Sequence, residues 1–498
     1  MADILLVHAE EPQTHGFVGA MPPLGLAWLA APLEAAGIGV EIFDPQVDRR
    51  GFSEVLREAH PRIVGIGTTT SARFRAFGYA TETKRFDPEI PVVLGGSHAT
   101  CTAHDTLTHL PQVDAVVVGE GEITMLELAR RLLDGRHDLT GILGLWHRRD
   151  GKIVSEPPRP RERDLDSLGI PARHLLPNAL YGLENEFVGG TAFHIVASRG
   201  CPFACTFCSV AKIWGHEIAY RTPQHVAGEM ELLRDGHGAK GYRFMDAVLT
   251  LRPEYVTALC REIIDRGIRL PWECEVRVDT INEDILRVMR EAGCYYLDFG
   301  AESASDRVLS RMRKKINRDQ IAGAIALTHR LGFRTKVFFT FGHIGETLAD
   351  ARETLDFIRV NARRISRLGG GVGINVFPGT EVEEFARGCG CLPPEFSWST
   401  PFNEPRNAFF SCPSSVPILI QPGFGWKEMY TVRYLGLLTK ARSPHVVSAY
   451  LRHIADPAVR RRLRCLLAGS LRGILQRRRG AAQGGTAARR PPARVSRP

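Results

Sequence analysis

Short β-branched runs alternate with amphipathic stretches twice along this chain, and a polar, proline-rich segment separates the two series. The first series comprises ILLVH (4–8), VEIF (40–43), IVGIG (63–67), VVLGG (92–96) and AVVVG (115–119). Helix-patterned segments lie between them: LGLAWLAAPLEAAG, which Gly37 closes, and EITMLELARRLL after Gly121. Five apolar strands, each joined to the next through a helix, bury both faces as a mostly parallel sheet. Residues 1–150 are therefore predicted to form a Rossmann-like, doubly wound α/β domain. Ligands of such sheets lie beyond the strand carboxyl ends, which here carry Thr68 to Ser71, Gly95 to His98 and Gly119 to Glu122.

Residues 151–189, which include SEPPRPRERDLDSLGIP, read as a linker. The second series runs through HIVAS (194–198), YRFMD (242–246), CEVRVD (274–279), YYLDFG (295–300), KVFFTFG (336–342) and GVGINVF (371–377). About six βα units over 190–392 predict an open partial barrel, with chemistry at the strand carboxyl ends. From 393 the pattern turns irregular and then helical, so 393–475 is expected to be a small helical domain and 476–498 a disordered tail.

Composition, 44% hydrophobic and 24% charged, is that of a soluble globular protein, and no run approaches the roughly 18–20 apolar residues of a membrane span. A cytoplasmic location and no membrane partner are expected. The net charge of +9 belongs to the end of the chain, because residues 451–498 hold thirteen Arg, no Lys and one acidic residue, Asp456. That end reads as a solvated tail, with contact to RNA or another anion as the alternative. Eleven cysteines, an odd number and mostly scattered, argue for reduced thiols rather than a disulfide framework.

Three cysteines are grouped. The segment SRGCPFACTFCSV puts Cys201, Cys205 and Cys208 on a loop directly after the first strand of the second series. A structural zinc site wants four N or S ligands in paired spacings, and no fourth Cys or His completes the set nearby. A [4Fe-4S] cluster held by three thiolates instead leaves one iron open for a further ligand. Cys389 and Cys391, a CxC without partners, read as structural.

The CxxxCxxC pattern with Phe207 before the last cysteine resembles the radical S-adenosylmethionine (SAM) superfamily, and the resemblance covers about 190–392. It implies that the open iron chelates SAM, whose reductive cleavage gives a 5′-deoxyadenosyl radical. Asp246, at the end of YRFMD, matches the family's acidic position near the SAM amino group. Arg277 in CEVRVD, and Glu302 and Ser303 in FGAES, match polar positions that hold the SAM carboxylate and ribose. GHIGET (342–347), FPGT (377–380) and YRTP (220–223) resemble further family motifs. Taken singly, Asp246 reads equally as a helix N-cap, and Arg277 with Glu302 as a structural ion pair.

The first domain is similar to the cobalamin-binding domain of the B12-dependent branch of that superfamily, through PPLGLAWLA (22–30), the hydroxyls after strand three, GGSHAT (95–100) and GEGE (119–122). The resemblance implies cobalamin contacts at Thr69, Ser71, Gly95, Gly96, Gly119 and Glu120. Where such domains supply a cobalt-ligating histidine they carry DxHxxG; here QTHGFVG (13–19) lacks the Asp, so His15 reads as a loop residue and the cobalt is expected to lack a protein histidine. The implied function is B12-dependent radical SAM methyl transfer to an unactivated carbon or phosphorus of a small molecule, in natural-product biosynthesis. A cobalamin-dependent cyclase or rearrangement enzyme, and a cofactor sensor that binds nucleic acid, are the alternatives. A flavodoxin or ferredoxin as electron donor and a monomeric state complete the expectations.

Overall fold

The computed structural model describes residues 2–9, 21–181 and 192–441. His15 and the arginine-rich end of the chain lie outside the described residues.

In the first domain the elements run β1 (Ile4–His8), α1 (Leu24–Ala35), β2 (Val40–Phe43), α2 (Phe52–Ala59), β3 (Ile63–Gly67), α3 (Arg73–Phe86), β4 (Val92–Gly95), α4 (Ser97–His109), β5 (Ala115–Val117), α5 (Glu122–Leu133), β6 (Leu145–Arg149) and β7 (Lys152–Ser155). The sheet order is β2-β1-β3-β4-β5-β6-β7, parallel through β5 and antiparallel beyond it. Alternation along β1 explains why the sheet is covered twice: Leu5 and Val7 join one apolar cluster, while Ile4 and Leu6 join another. The first cluster takes in α2 and α3, the second α1 and α5. The sheet runs past residue 150, because β7 belongs to it. The antiparallel pair at its end lay inside the stretch expected to hold a boundary, where strands of charged residues such as LWHRR carry no apolar run to betray them.

The second domain contains β8 (Ala192–Ile195), β9 (Ser198–Arg199), α6 (Val210–Trp214), β10 (Ala219–Tyr220), α7 (Pro223–His237), β11 (Gly241–Phe244), α8 (Pro253–Asp265), β12 (Trp272–Val276), α9 (Glu283–Glu291), β13 (Cys294–Glu302), α10 (Asp306–Arg311), α11 (Arg318–Arg330), β14 (Arg334–Phe341), α12 (Leu348–Asn361) and β15 (Arg367–Val372). Its six principal strands are all parallel and lie in the order β15-β14-β13-β12-β11-β8. Sequential order with a helix in each crossover makes an open partial barrel of six units, as the apolar periodicity predicts. Helix starts are chemically marked: Thr222 caps α7 with Pro223 at its first position, and capping boxes open α11 (Asn317 with Gln320) and α12 (Thr347 with Asp350).

After β15 come α13 (Glu381–Gly388) and α14 (Trp426–Ala441). The described segment between them packs onto the barrel: Phe410, Ile418, Phe424 and Met429 are buried in the barrel's own core cluster, and Asn375 bridges Ile418. No helix among the described residues is long and apolar enough to cross a membrane.

Candidate functional site

A cavity of about 660 Å³ lies where the carboxyl ends of both sheets meet. The first domain supplies its wall from the ends of β1, β3, β4 and β5 and from the start of α1; the barrel supplies Val196, Ser198, Arg199, Met245, Asp246 and Glu275 among others. The two domains are locked beside the cavity by a charge pair. Arg199 Nη2 donates to Glu122 Oε1 at 2.6 Å and Nη1 reaches Glu120 at 3.4 Å, with both ends of the Arg199–Glu122 pair buried. The Arg199 guanidinium also lies over the rings of Trp28 (5.1 Å) and Trp214 (5.2 Å).

The cysteine loop begins at Gly200, whose φ of 111° and approach to the Glu217 carbonyl exclude any side chain. Thr206 ties the loop down, its N–H donating to Met312 O at 3.1 Å and its carbonyl accepting from Val382 N at 3.3 Å. The thiols of Cys201, Cys205 and Cys208 lie within electrostatic reach of one another, with Lys314 acting on Cys205 and Cys208. Burial pushes the Cys205 and Cys208 thiols up, against the Lys314 ammonium, and a bound metal cluster would favour their thiolates. Among the described residues no three His, Cys, Asp or Glu side chains are arranged to hold a single metal ion, so the loop is not drawn tight around one atom. All ten described cysteines are free of disulfides.

Asp246 is on the cavity wall and 2% exposed. Its carboxylate accepts from Ser198 Oγ (2.5 Å) and Ala197 N (3.3 Å), which are not the partners of a helix N-cap. Burial pushes it up to about 6, against those donors. Ionised, it suits a cationic amino group arriving from the cavity.

Arg277 and Glu302 do not pair with each other. Arg277 makes a forked contact with Asp279 (2.9 and 2.9 Å), donates to the Lys314 carbonyl (2.7 Å) and lies 3.6 Å over the ring of Phe203, inside the cysteine loop. Its guanidinium therefore props the loop. Glu302, with φ of 65°, accepts from Lys314 Nζ and from Thr340 Oγ1, each at 3.1 Å. Gly300 leaves room for that pair, since a Cβ there would stand 2.7 Å from Glu302 Oε1. Phe207 stands edge-on to His343 at 5.3 Å, with Lys314 Nζ 5.8 Å over its ring. Ser303 is fully buried, shares a hydrogen bond with Thr354 (3.1 Å) and accepts from Ser305 N (3.1 Å), so it stabilises a turn instead of facing a ligand. Arg221 of YRTP is likewise structural, completing a buried triad with Glu229 and Arg173.

In the first domain, Thr69, Gly95, Gly96 and Gly119 line the cavity, but Ser71 and Glu120 do not. Ser71 is turned toward Thr69 and accepts from Ser415 through its carbonyl. Glu120 is engaged by Arg199 and by the Glu162 N–H at 2.8 Å. Both were expected to touch cobalamin, and neither lines this cavity. His98 of GGSHAT is buried on Thr70 and Trp398, and burial pushes it down to about 3. The wall fits a large ligand because it lacks side chains: a Cβ on Gly25 or Gly119 would meet nothing within 4 Å, and on Gly95 nothing nearer than 3.9 Å. His8 and Trp214 escaped the sequence reading, since neither lies in a motif; Trp28, Arg199 and Glu275 lie inside PPLGLAWLA, the cysteine segment and CEVRVD, but nothing in those motifs singles them out.

Residues 195–358 match the model of the radical SAM superfamily, and residues 15–129 match the B12 binding domain. An uncharacterized methyltransferase of Pyrococcus horikoshii is 36% identical over 68% of this chain and 73% of its own length. The anaerobic magnesium-protoporphyrin IX monomethyl ester cyclase of Rubrivivax gelatinosus is 31% identical over 72% of this chain and 65% of its own. The fold is also that of the radical SAM methyltransferase TsrM from Kitasatospora setae, solved with tryptophan substrate and a SAM analogue: TM-score 0.67, 22% identity, 86% of this chain and 88% of that one. This chain belongs to the cobalamin-binding radical SAM enzymes, whose cofactors are a [4Fe-4S] cluster, SAM and cobalamin.

Proposed function

We propose that this enzyme is a cobalamin-dependent methyltransferase that places a methyl group on an unactivated carbon, or on phosphorus, of a small molecule. One observation carries the reading: a single cavity is walled by the strand ends of both domains and reaches Gly200 at the start of the cysteine loop, so groups bound by the two domains would open onto one space. When bound, the cofactors supply reductive SAM cleavage, hydrogen abstraction and the methyl group.

The chain's residues have the remaining tasks. Cys201, Cys205 and Cys208 ligate the cluster, and Arg277 holds their loop through Phe203. Asp246 receives the SAM amino group; Glu302, steadied by Lys314, and Phe207 shape the rest of that pocket. Thr69, Gly95, Gly96 and Gly119 admit the cobalamin tail. Trp28 and Trp214 exclude water where the domains join. On the barrel side Glu275 lines the cavity with a half-exposed side chain, and His194 lies buried in the same wall with Nε2 unpartnered.

A flavodoxin or ferredoxin as donor, a monomeric state and a cytoplasmic setting belong to the same proposal. The test is turnover with reductant and methyl-deuterated SAM. Methyl transfer yields S-adenosylhomocysteine, 5′-deoxyadenosine and a labelled product. Deoxyadenosine alone rejects it and favours the second reading, a cyclisation or rearrangement, which the 31% identity to the cyclase supports.

A further inference from the structure

We propose that His8 is a protein ligand to the cobalt of the bound corrinoid, through Nε2. The inference rests on cobalamin binding and departs from the expectation of a cobalt without protein histidine.

His8 closes β1 at the cavity wall. Its Nδ1 lies 3.1 Å from Asp44 Oδ1, and Asp44 is 2% exposed. The other carboxylate oxygen of Asp44 accepts from Tyr181 OH at 2.9 Å, and the Gln46 N–H donates to Oδ1 at 3.0 Å. Gln46 is fixed in turn, exchanging hydrogen bonds of 3.1 Å with both backbone atoms of Met21, and its amide nitrogen also lies 3.1 Å from His8 Nδ1. A carboxylate can only accept, and the Gln46 amide hydrogens have Met21 O (3.1 Å) and the Asp44 carboxylate (3.3 Å) as acceptors, so the neutral tautomer with its proton on Nδ1 satisfies the whole cluster and leaves Nε2 its lone pair. Nε2 has no partner among the described residues.

This is what a metal-binding imidazole needs: one nitrogen oriented by a buried carboxylate, the other presented to an open space. The bond is dative, with the pair coming from Nε2 and no proton released. A purely structural His8 would explain the Asp44 contact but not a ring edge left on the cavity wall. His194, also on that wall, has Arg243 and Arg173 as its charged neighbours and no carboxylate to orient it.

The test uses the full chain labelled with ¹⁵N in its histidine rings, loaded with cobalamin, reduced to cobalt(II) and read by electron paramagnetic resonance. The proposal expects each resolved cobalt line to split into a doublet in the labelled protein and a triplet in the unlabelled one. His8→Ala should abolish the doublet, His15→Ala should keep it, and unlabelled imidazole added to His8→Ala should produce the triplet. Triplets in the labelled protein, which mark the corrinoid's own base, would overturn the assignment. So would the absence of nitrogen splitting, or a doublet surviving His8→Ala. Cobalamin content, read by absorbance, is required to be equal across variants. The readout needs no turnover, so it stands or falls apart from methyl transfer.

Discussion

The two walls of the shared cavity are made in opposite ways. The first sheet offers open backbone: Gly25, Gly95 and Gly119 face space that side chains would fill. The barrel offers charged side chains, with Asp246 held by Ser198 and Glu275 at 4.0 Å from Arg243. One wall should therefore fail when volume is added and the other when charge is removed. Arg199 and Glu122 join them, since one residue comes from each side.

The largest effect should come from that joint. Glu122→Ala leaves Arg199 buried with only the longer contact to Glu120, and is expected to cost about 4 kcal/mol in urea unfolding. A loss under about 1 kcal/mol would mean the walls stand independently.

Asp246→Asn sharpens the contrast through pH. Because burial raises Asp246 to about 6 from its ordinary 3.8, its stabilising contribution is complete below about pH 4 and is lost as pH rises through 6. The stability of the variant relative to the wild-type apoprotein should therefore improve by about 3 kcal/mol from pH 4 to pH 8. Unfolding curves at both pH values measure it; a pH-independent difference would mean Asp246 is not buried as a carboxylate. SAM binding should weaken in the same variant.

Gly96→Ala probes the other wall. Gly96 has φ of 94°, and a Cβ would stand 2.7 Å from the Thr68 carbonyl oxygen. A cost of about 2 kcal/mol is expected. Cobalamin uptake should fall while cluster content is unchanged, and a parallel loss of iron would show that the walls do not act separately.

This contrast also explains what was legible in the chain. Strand positions were readable because buried parallel strands need uninterrupted β-branched runs, and β3 coincides with IVGIG from Ile63 to Gly67. The cysteine loop was readable because chelation imposes spacing. The contacts of Ser303 and Glu120 were not legible, because motif position alone does not tell a ligand contact from a buried hydrogen bond or an interdomain pair; their partners Thr354 and Arg199 lie 51 and 79 positions away. His8 carried no signal at all, since its partners Asp44 and Tyr181 lie 36 and 137 or more positions along from the residues they orient.

From the sequence alone follow two βα series and a three-cysteine loop, since periodicity and ligand spacing are local properties, while the cofactor classes follow from the family those motifs resemble. Only the folded chain decided which polar residues face the cavity and which are taken up by one another. Each buried charge finds the nearest available partner in space, and that neighbour is set by how the two sheets come together, not by distance along the chain.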